Sequence, residues 1–397
     1  MSKISTNTCS ACGTSVMNHR FLFVSNFIEG TMGKVGDKFF DLTERKGWRE
    51  IASFVEKTLY TIFYLLGVLR YNSDAEKALT GRSKIIWKEA ERRSISMEQM
   101  VVFKKHIEFY RAKINGKMFY FQSLPIPPWL HQSGYKWLDD KFILFEKLRK
   151  NTIPAPLAKK ISTWRKAKNA FTELNKPIIL KPQYGSRGRH TTTNINTMEE
   201  LKNAFFLARQ ITPWMLMQEH LCGSICRATV IDNELVGFFK ADFPKVTGHN
   251  SKTIRELIEE RNDTRPERLS EILINDDLIS FIKREGYALK SILPNGVTIN
   301  LSAKTGRMYG SYTKEMLQEV HPKIHDIFKK AGKLVNAPVV GFDLIIEDPT
   351  KDPDTQHWGI IECNSLPFID LHYFALEGTP INLAKNVWNL WSEQKVV

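Results

Sequence analysis

Two apolar segments in the C-terminal fifth of the 397-residue chain constrain it most, because each carries polar groups where a buried strand has none. Residues 339–346 read VVGFDLII, and residues 358–364 read WGIIECN. Short, apolar and rich in Val and Ile, both predict strands, and the Asp-, Pro- and Thr-rich connector at 347–357 lets them pair. Side chains two apart on a strand share a face, so Glu362 and Asn364 point the same way. Asp343 lies inside the first strand, where a buried carboxylate without a partner is costly. If the strands pair, Asp343, Glu362 and Asn364 converge. Two readings fit. The three side chains are oxygen ligands for Mg²⁺ or Mn²⁺, hard cations that share their shell with phosphates, or they form a hydrogen-bonded surface cluster.

A second signal is IILKPQYGSRGRH at 178–190. A strand delivers Lys181, and Gly185, Ser186 and Gly188 then form a turn whose backbone can approach phosphate oxygens. Lys181 adds a point charge. The chain contains no GxxxxGK[ST] motif, so this is not a Walker A loop, and a plain Gly-Ser turn is the other reading. Residues 217–223, MQEHLCG, leave a strand through Glu219 and suit a hinge that holds a purine by main-chain groups.

Around these signals the chain alternates hairpins and helices. RFLFVSNFI at 20–28 is expected as a strand, and TLYTIFYLLGVL at 58–69 as a buried helix. KINGKMFYFQSL at 113–124 predicts a hairpin turning at Asn115-Gly116. The stiff PIPPWL at 125–130 marks a domain boundary. A helix is expected within 135–161, ending before Pro154. On MEELKNAFFLARQ, Leu201, Ala204, Phe205 and Ala208 share one helical face. Residues 226–240 predict a hairpin at Asp232-Asn233, and residues 291–301 another through Pro-Asn-Gly. Thr253 and Glu256 have capping-box spacing. Pro322 suits the first turn of a helix over 321–335. Hairpins mixed with helices point to an antiparallel α+β fold.

The net charge is +14, from 57 Lys and Arg against 43 Asp and Glu. Residues 1–140 hold 21 basic against 14 acidic residues, so half of the excess lies there. Such a dispersed excess fits an anionic small substrate as well as nucleic acid. Five cysteines make no disulfide framework and suit a reducing interior. The start, MSKISTNTCSACG, has no apolar leader core, and the longest apolar run, 12 residues, is short of the roughly 20 that cross a bilayer. A soluble cytoplasmic protein is expected.

The order Lys-Pro…Gly-Ser-x-Gly, Glu hinge, Gly-Phe-Asp, Ile-Glu-x-Asn-x-x-Pro resembles the ATP-grasp superfamily. The nearer resemblance is to the ligase domains of cyanophycin synthetase and of bifunctional glutathione synthetase. It covers about Lys136 to the C-terminus, and TIRELIEERN with IIECNSLP carries it most specifically. It implies an ATP-grasp fold, two α+β subdomains at 136–215 and 216–397 clasping ATP, after a lead-in domain at 1–135. It also implies that Asp343, Glu362 and Asn364 hold Mg²⁺ and that Lys141 and Lys181 are the two ATP lysines. Glu219 and Leu221 fall on the adenine hinge, and Arg227 matches an arginine that steadies phosphate or intermediate. The implied activity is ATP-dependent carboxylate–amine ligation through an acyl phosphate. A phosphotransferase on the same fold and a non-catalytic basic nucleotide- or nucleic-acid-binding protein are the alternatives. The expected partners are a small carboxylate and an amine, amino acid or peptide, without nucleic acid or membrane, and with a homo-oligomer left open. The chain departs from the family in three places. No acid lies between Glu219 and Arg227, GHN at 248–250 replaces a Gly-Asp-Gly-like loop, and residues 303–312 lack the usual Asn and Asp.

Other residues admit two readings. Cys9 and Cys12 form half of a zinc knuckle, which needs further ligands such as His19. Gly30, Gly33 and Gly36 make a loop over substrate or a turn. Cys222, Cys226 and Cys363 read as buried small residues, and His372 faces the site or is a satisfied structural histidine.

Overall fold

A computed structural model describes residues 18–28, 58–130, 135–138, 140–183, 189–267, 269–302 and 309–392. Its strands form three antiparallel sheets and a two-stranded ribbon. The first sheet runs in order through β1 (Leu69–Asn72), β2 (Ser96–Val102), β3 (Lys105–Ile114) and β4 (Lys117–Gln122). The expected hairpin joins β3 to β4, with Asn115 and Gly116 both at positive φ. Helix α1 (Gly81–Arg92), capped by Thr80, packs on this sheet.

The second sheet has the order β5 (Ala158–Ile161), β8 (Met215–Glu219), β6 (Ile178–Pro182), β7 (Thr192–Ile195). Helix α2 (Lys141–Lys150) precedes it, and α3 (Trp164–Glu173) and α4 (Met198–Arg209) cover it. Leu201, Ala204, Phe205 and Ala208 are the buried face of α4, as their spacing requires.

The third sheet is central, in the order β13 (Thr313–Glu315), β10 (Glu234–Ala241), β9 (Ser224–Ile231), β14 (Val339–Ile346), β15 (Gly359–Asn364). Its tight β9–β10 turn places Asp232 and Asn233 at positive φ. Helix α7 (Pro322–Val335) lies on its apolar face, with Ile324, Phe328, Ala331 and Val335 inward. Between β10 and β13 stand the ribbon β11 (Lys245–Thr247) and β12 (Thr298–Asn300), with α5 (Ile254–Asp263) and α6 (Asp276–Arg284). Thr253 and Glu256 close the predicted capping box on α5. The chain ends in α8 (Asp370–Tyr373) and α9 (Leu383–Asn389). Trp388 and Trp391 on and after α9 share one core with Ile86, Tyr110 and Phe121, so the C-terminal segment packs into the first sheet.

Three expectations change. Residues 19–28 are helical, not extended; Phe21, Val24, Phe27 and Ile28 repeat at three and four, which is a helix period. Residues 58–65 are helical but not buried, with Leu65 78% and Leu66 69% exposed among the described residues. Apolar on several sides, this helix sets Tyr60 against Phe109 and Tyr120 and Tyr64 against Tyr71 of the first sheet. The Pro-Asn-Gly turn forms at 294–296, but β12 pairs with β11 rather than with residues 291–293, because Ile292 bridges to Thr253.

Candidate functional site

Across the central sheet one row of directly opposed residues reads Glu315, Phe239, Arg227, Asp343, Glu362. The row two residues away reads Gly237, Thr229, Gly341, Asn364. Opposed residues share a face, as do residues two apart on one strand. The charged residues therefore line one face together, while Ala228, Phe238, Phe342 and Leu344, one step out of phase, enter the core under α7. This alternation along CRATV and GFDLI is the local reason the strands form: each inward residue is apolar and each polar one points out.

The charges engage one another. Arg227 donates from Nε to Asp343 Oδ1 at 2.6 Å and from Nη2 to Oδ2 at 2.8 Å. Burial works against the Arg227 charge, but Asp343, by charge and hydrogen bonding, with Glu362 and Asp370 beyond, outweighs it and holds the guanidinium above its usual range. Asn364 Nδ2 donates to Asp343 Oδ2 at 3.4 Å. From the facing helix, Lys141 Nζ lies 3.6 Å from Glu362 Oε1. Asp140 fixes the start of that helix. It caps the N–H groups of Phe142 and Ile143 and takes Lys160 Nζ at 3.3 Å and Gln183 Nε2 at 2.9 Å, which ties α2 to the second sheet.

Lys181 reaches the same place from β6, its Nζ 5.7 Å from the centre of the Phe145 ring, one turn beyond Lys141. Loss of hydration, then repulsion from Lys141, pulls its ammonium down to a pKa of about 7, against the pull of Glu362 upward. The structure thus brings Lys141, Lys181, Arg227, Asp343, Glu362 and Asn364 together. Glu219 and Leu221 stand apart: Lys181 opposes Leu216 on β8, and Glu219 is three residues on, roughly 10 Å along the strand. The Glu219 carboxylate accepts from Leu157 N at 2.9 Å, and Leu221 is buried. Gly185, Ser186 and Gly188 lie outside the described residues, as do Cys9, Cys12, Gly30, Gly33, Gly36 and residues 303–308.

The donor set suits a small hard cation. Asp343 and Glu362 are directly opposed, and a carboxylate offers about four lone-pair positions, which Arg227 and Asn364 do not exhaust on Asp343. The Glu362 side chain is 37% exposed. Among the described residues no cluster of three or more His, Cys, Asp or Glu forms, and the Asn364 amide stands beside the two carboxylates.

The sequence reading missed a neighbouring cluster. Glu315 accepts from Phe238 N at 2.9 Å and Leu317 N at 3.2 Å and pairs with His372 Nδ1, while His372 Nε2 lies 2.7 Å from Thr229 Oγ1. His372 is fully buried with both ring nitrogens partnered, which makes it the structural histidine of the two readings. It lies on Gly237, where any Cβ would come within 2.7 Å of the ring. Cys226 and Cys363 are buried as expected, and burial pushes the Cys226 thiol up, whereas Cys222 is exposed at the turn before β9.

Set against known proteins, this architecture is the ATP-grasp fold. The bifunctional glutathione synthetase of Pasteurella multocida superposes with a TM-score of 0.57 over 79% of this chain and 44% of its own, at 20% identity. In sequence, the chain is similar to the cyanophycin synthetase of Geminocystis herdmanii, 30% identical over 220 residues, which are 53% of this chain and 25% of the relative. It is also similar to the glutathione biosynthesis bifunctional protein GshAB of Clostridium perfringens, 27% identical over 251 residues, 61% of this chain and 32% of the relative. The chain therefore aligns with between a quarter and a third of the length of these two relatives. No protein-family model matches it.

Proposed function

We propose that the chain is an ATP-dependent carboxylate–amine ligase that forms an amide or peptide bond and releases ADP and phosphate. One observation carries this reading. In a chain of this fold, three cationic side chains from three elements, Lys141, Lys181 and Arg227, gather against Asp343, Glu362 and Asn364. Lys141 and Arg227 balance the two carboxylates, and Lys181, once protonated, adds an excess that a polyphosphate neutralises. In this scheme the substrate carboxylate takes the terminal phosphoryl group of ATP. An amine then attacks the acyl phosphate, phosphate leaves and the amide remains. No nucleophilic side chain is required; the protein supplies position and charge.

Each residue has a part in this scheme. Lys181, poised near neutrality without its ligand, takes a proton when phosphate oxygens approach. Lys141, braced by the Asp140 cap, neutralises charge from the opposite side. Arg227 is held in one orientation by Asp343, and a bidentate guanidinium so fixed suits phosphate or an oxyanion. Asp343, Glu362 and Asn364 would hold Mg²⁺ or Mn²⁺, which when bound lowers the charge repulsion between phosphates and attacking groups. Glu219 and Leu221 lie far enough along the sheet to suit the purine end of the nucleotide. On this reading residues 1–135 are a lead-in domain, residues 136–215 and 216–397 clasp the nucleotide, and the substrates are small amino acids or peptides. Among the described residues no helix is long and apolar enough to cross a membrane, and we place the activity in the cytoplasm.

The test is a screen of amino acids and dipeptides in pairs with Mg²⁺ and ATP, following ADP and free phosphate. Ligation requires both products and dependence on a carboxylate and an amine together. With hydroxylamine in place of the amine, a hydroxamate should form. ADP without free phosphate, with the phosphoryl group left on the acceptor, would convict the ligase reading in favour of a phosphotransferase.

A further inference from the structure

The loop leaving Asn364 is held from outside its own sheet. Arg82, in the first turn of α1, is 6% exposed and donates from Nη1 to the carbonyls of Leu366 and Pro367. Its Nη2 donates to Ser123 Oγ at 2.7 Å, at the end of the first sheet, and its guanidinium lies 4.9 Å from the centre of the Phe368 ring. Two close approaches lock the same loop. Gly341 has no side chain, so Pro367 rests on β14, where a Cβ would meet it at 2.8 Å. Gly81 likewise lets Asp370 reach the start of α1, where a Cβ would stand 2.6 Å from the carboxylate. Asp370 in turn lends its charge to both Arg82 and Arg227.

We infer that Arg82 is a positioning residue: it clamps residues 365–368 to the first sheet and so fixes Asn364 beside Asp343 in the metal-binding arrangement. The inference rests on the proposed role of Asn364, but the clamp is a separate claim about this loop. The geometry favours it over a purely structural role. A guanidinium buried at a sheet-to-helix contact could bond anywhere, yet this one spends Nη1 on the two carbonyls that follow Asn364 by two and three residues. Both are main-chain acceptors, so the clamp fixes backbone position rather than one rotamer. A lysine there offers a point charge and cannot reproduce the planar fork.

The experiment uses the full chain with Arg82→Lys, and with Ser123→Ala as a milder variant that removes only the hydroxyl used by Nη2. Amide hydrogen exchange is followed through 364–374, and binding of a non-hydrolysable ATP analogue is measured with and without Mg²⁺. Arg82→Lys should speed exchange in 364–374 by about tenfold and Ser123→Ala by about threefold, with the strands β9 and β14 unchanged. Affinity for the analogue should fall about fivefold with Mg²⁺ and stay unchanged without it. Exchange in 364–374 at the wild-type rate in both variants overturns the clamp, and so does an equal rise throughout the molecule. An equal loss of affinity with and without Mg²⁺ overturns the link to Asn364. If the wild-type chain binds no Mg²⁺-nucleotide, the proposed function falls and the exchange measurement alone judges the clamp.

Discussion

The outward face of the central sheet carries two polar clusters made of similar residues, and they differ in how completely each satisfies itself. At the β13 side, Glu315, His372 and Thr229 are buried and spend their polar atoms on one another and on two backbone N–H groups. Toward β15, Arg227, Asp343, Glu362 and Asn364 meet Lys141 and Lys181 with partial exposure and with three basic side chains against two acidic ones. A row of glycines explains the contrast. Gly237 and Gly341 flank Thr229 in register, and His372 and Pro367 lie in the furrow they leave. Helix α8 therefore seals one half of the face. The other half faces α2 and β6, which belong to a different sheet, and two lysines there crowd one glutamate. A closed network contributes stability; an unbalanced one is held ready for a ligand of opposite charge.

Breaking the closed cluster should give the largest effect. His372→Leu leaves the Glu315 carboxylate buried with only backbone partners, and breaking a buried pair of this kind costs about 3 kcal/mol or more. Thermal unfolding should shift down by on the order of 5–10 °C, while the protein that remains folded binds Mg²⁺-nucleotide within about twofold of wild type. A proportionate loss of nucleotide affinity in the folded fraction would mean that the two clusters are one functional unit.

The open cluster should respond in the opposite sense. Lys181→Met keeps an apolar stem and removes the charge, so ADP formation should fall roughly 10²-fold, the scale of a lost electrostatic contact to a developing charge. Lys181→Arg should also do poorly, since a fork does not replace a point charge. Stability should not fall, because the wild-type lysine is desolvated and lies beside a like charge. Differential scanning calorimetry beside the ADP assay separates the two, and wild-type turnover in Lys181→Met would remove residues 181–188 from the phosphate site.

Titration sharpens this. The Lys181 pKa is lowered to about 7 in the folded chain, against about 10.4 when unfolded. Between those values the unfolded state binds more protons, so the Lys181 contribution makes stability rise with pH, and its cost is fully present below about 7. On the proposed reading nucleotide binding should run the other way, because an approaching phosphate would restore the proton. At pH 6 binding should take up almost none, and at pH 8.5 it should approach one, with affinity falling up to tenfold per pH unit in between. Calorimetry in two buffers of different ionisation enthalpy measures the uptake, and Lys181→Met should abolish it.

These contrasts show why the sequence is legible in one cluster and, beyond the candidate His372, silent in the other. Asp343, Glu362 and Asn364 sit on two consecutive strands of the sheet, and an acid within an apolar run signals itself by its cost. Lys181 is marked by its apolar strand and the glycine turn that follows, whereas Lys141 follows from the order of motifs and from no local pattern. The sealed cluster joins Thr229, Glu315 and His372, separated by 57 residues at the nearer step and 143 at the farther. Glu315 lies in a three-residue strand, too short for period or propensity to register, so nothing local marks it. The same holds for Arg82, whose partners at 366 and 367 lie 284 and 285 residues away. The strand expected at 20–28 and the burial expected of the helix at 58–65 fail for a different reason. An apolar run by itself fixes neither the period of the element it forms nor what covers it.

The smallest expected effect tests how tightly the closed cluster is drawn. Thr229→Val keeps the shape and branching of the side chain on a strand that favours both, and removes only the hydroxyl 2.7 Å from His372 Nε2. A buried ring nitrogen left without its partner costs about 1 kcal/mol, against about 3 for His372→Leu. Val is no larger than the furrow between Gly237 and Gly341 already admits, so no clash should add to that figure. Arg227 and Asp343, two residues along and on the neighbouring strand, should keep their bidentate pair, and the Lys181-linked proton uptake should be that of wild type. A loss in Thr229→Val as large as in His372→Leu would show that the hydroxyl sets the orientation of the whole Glu315–His372 pair. No loss at all would show that the imidazole is held by Glu315 alone, and that Thr229 only fills the space between two glycines.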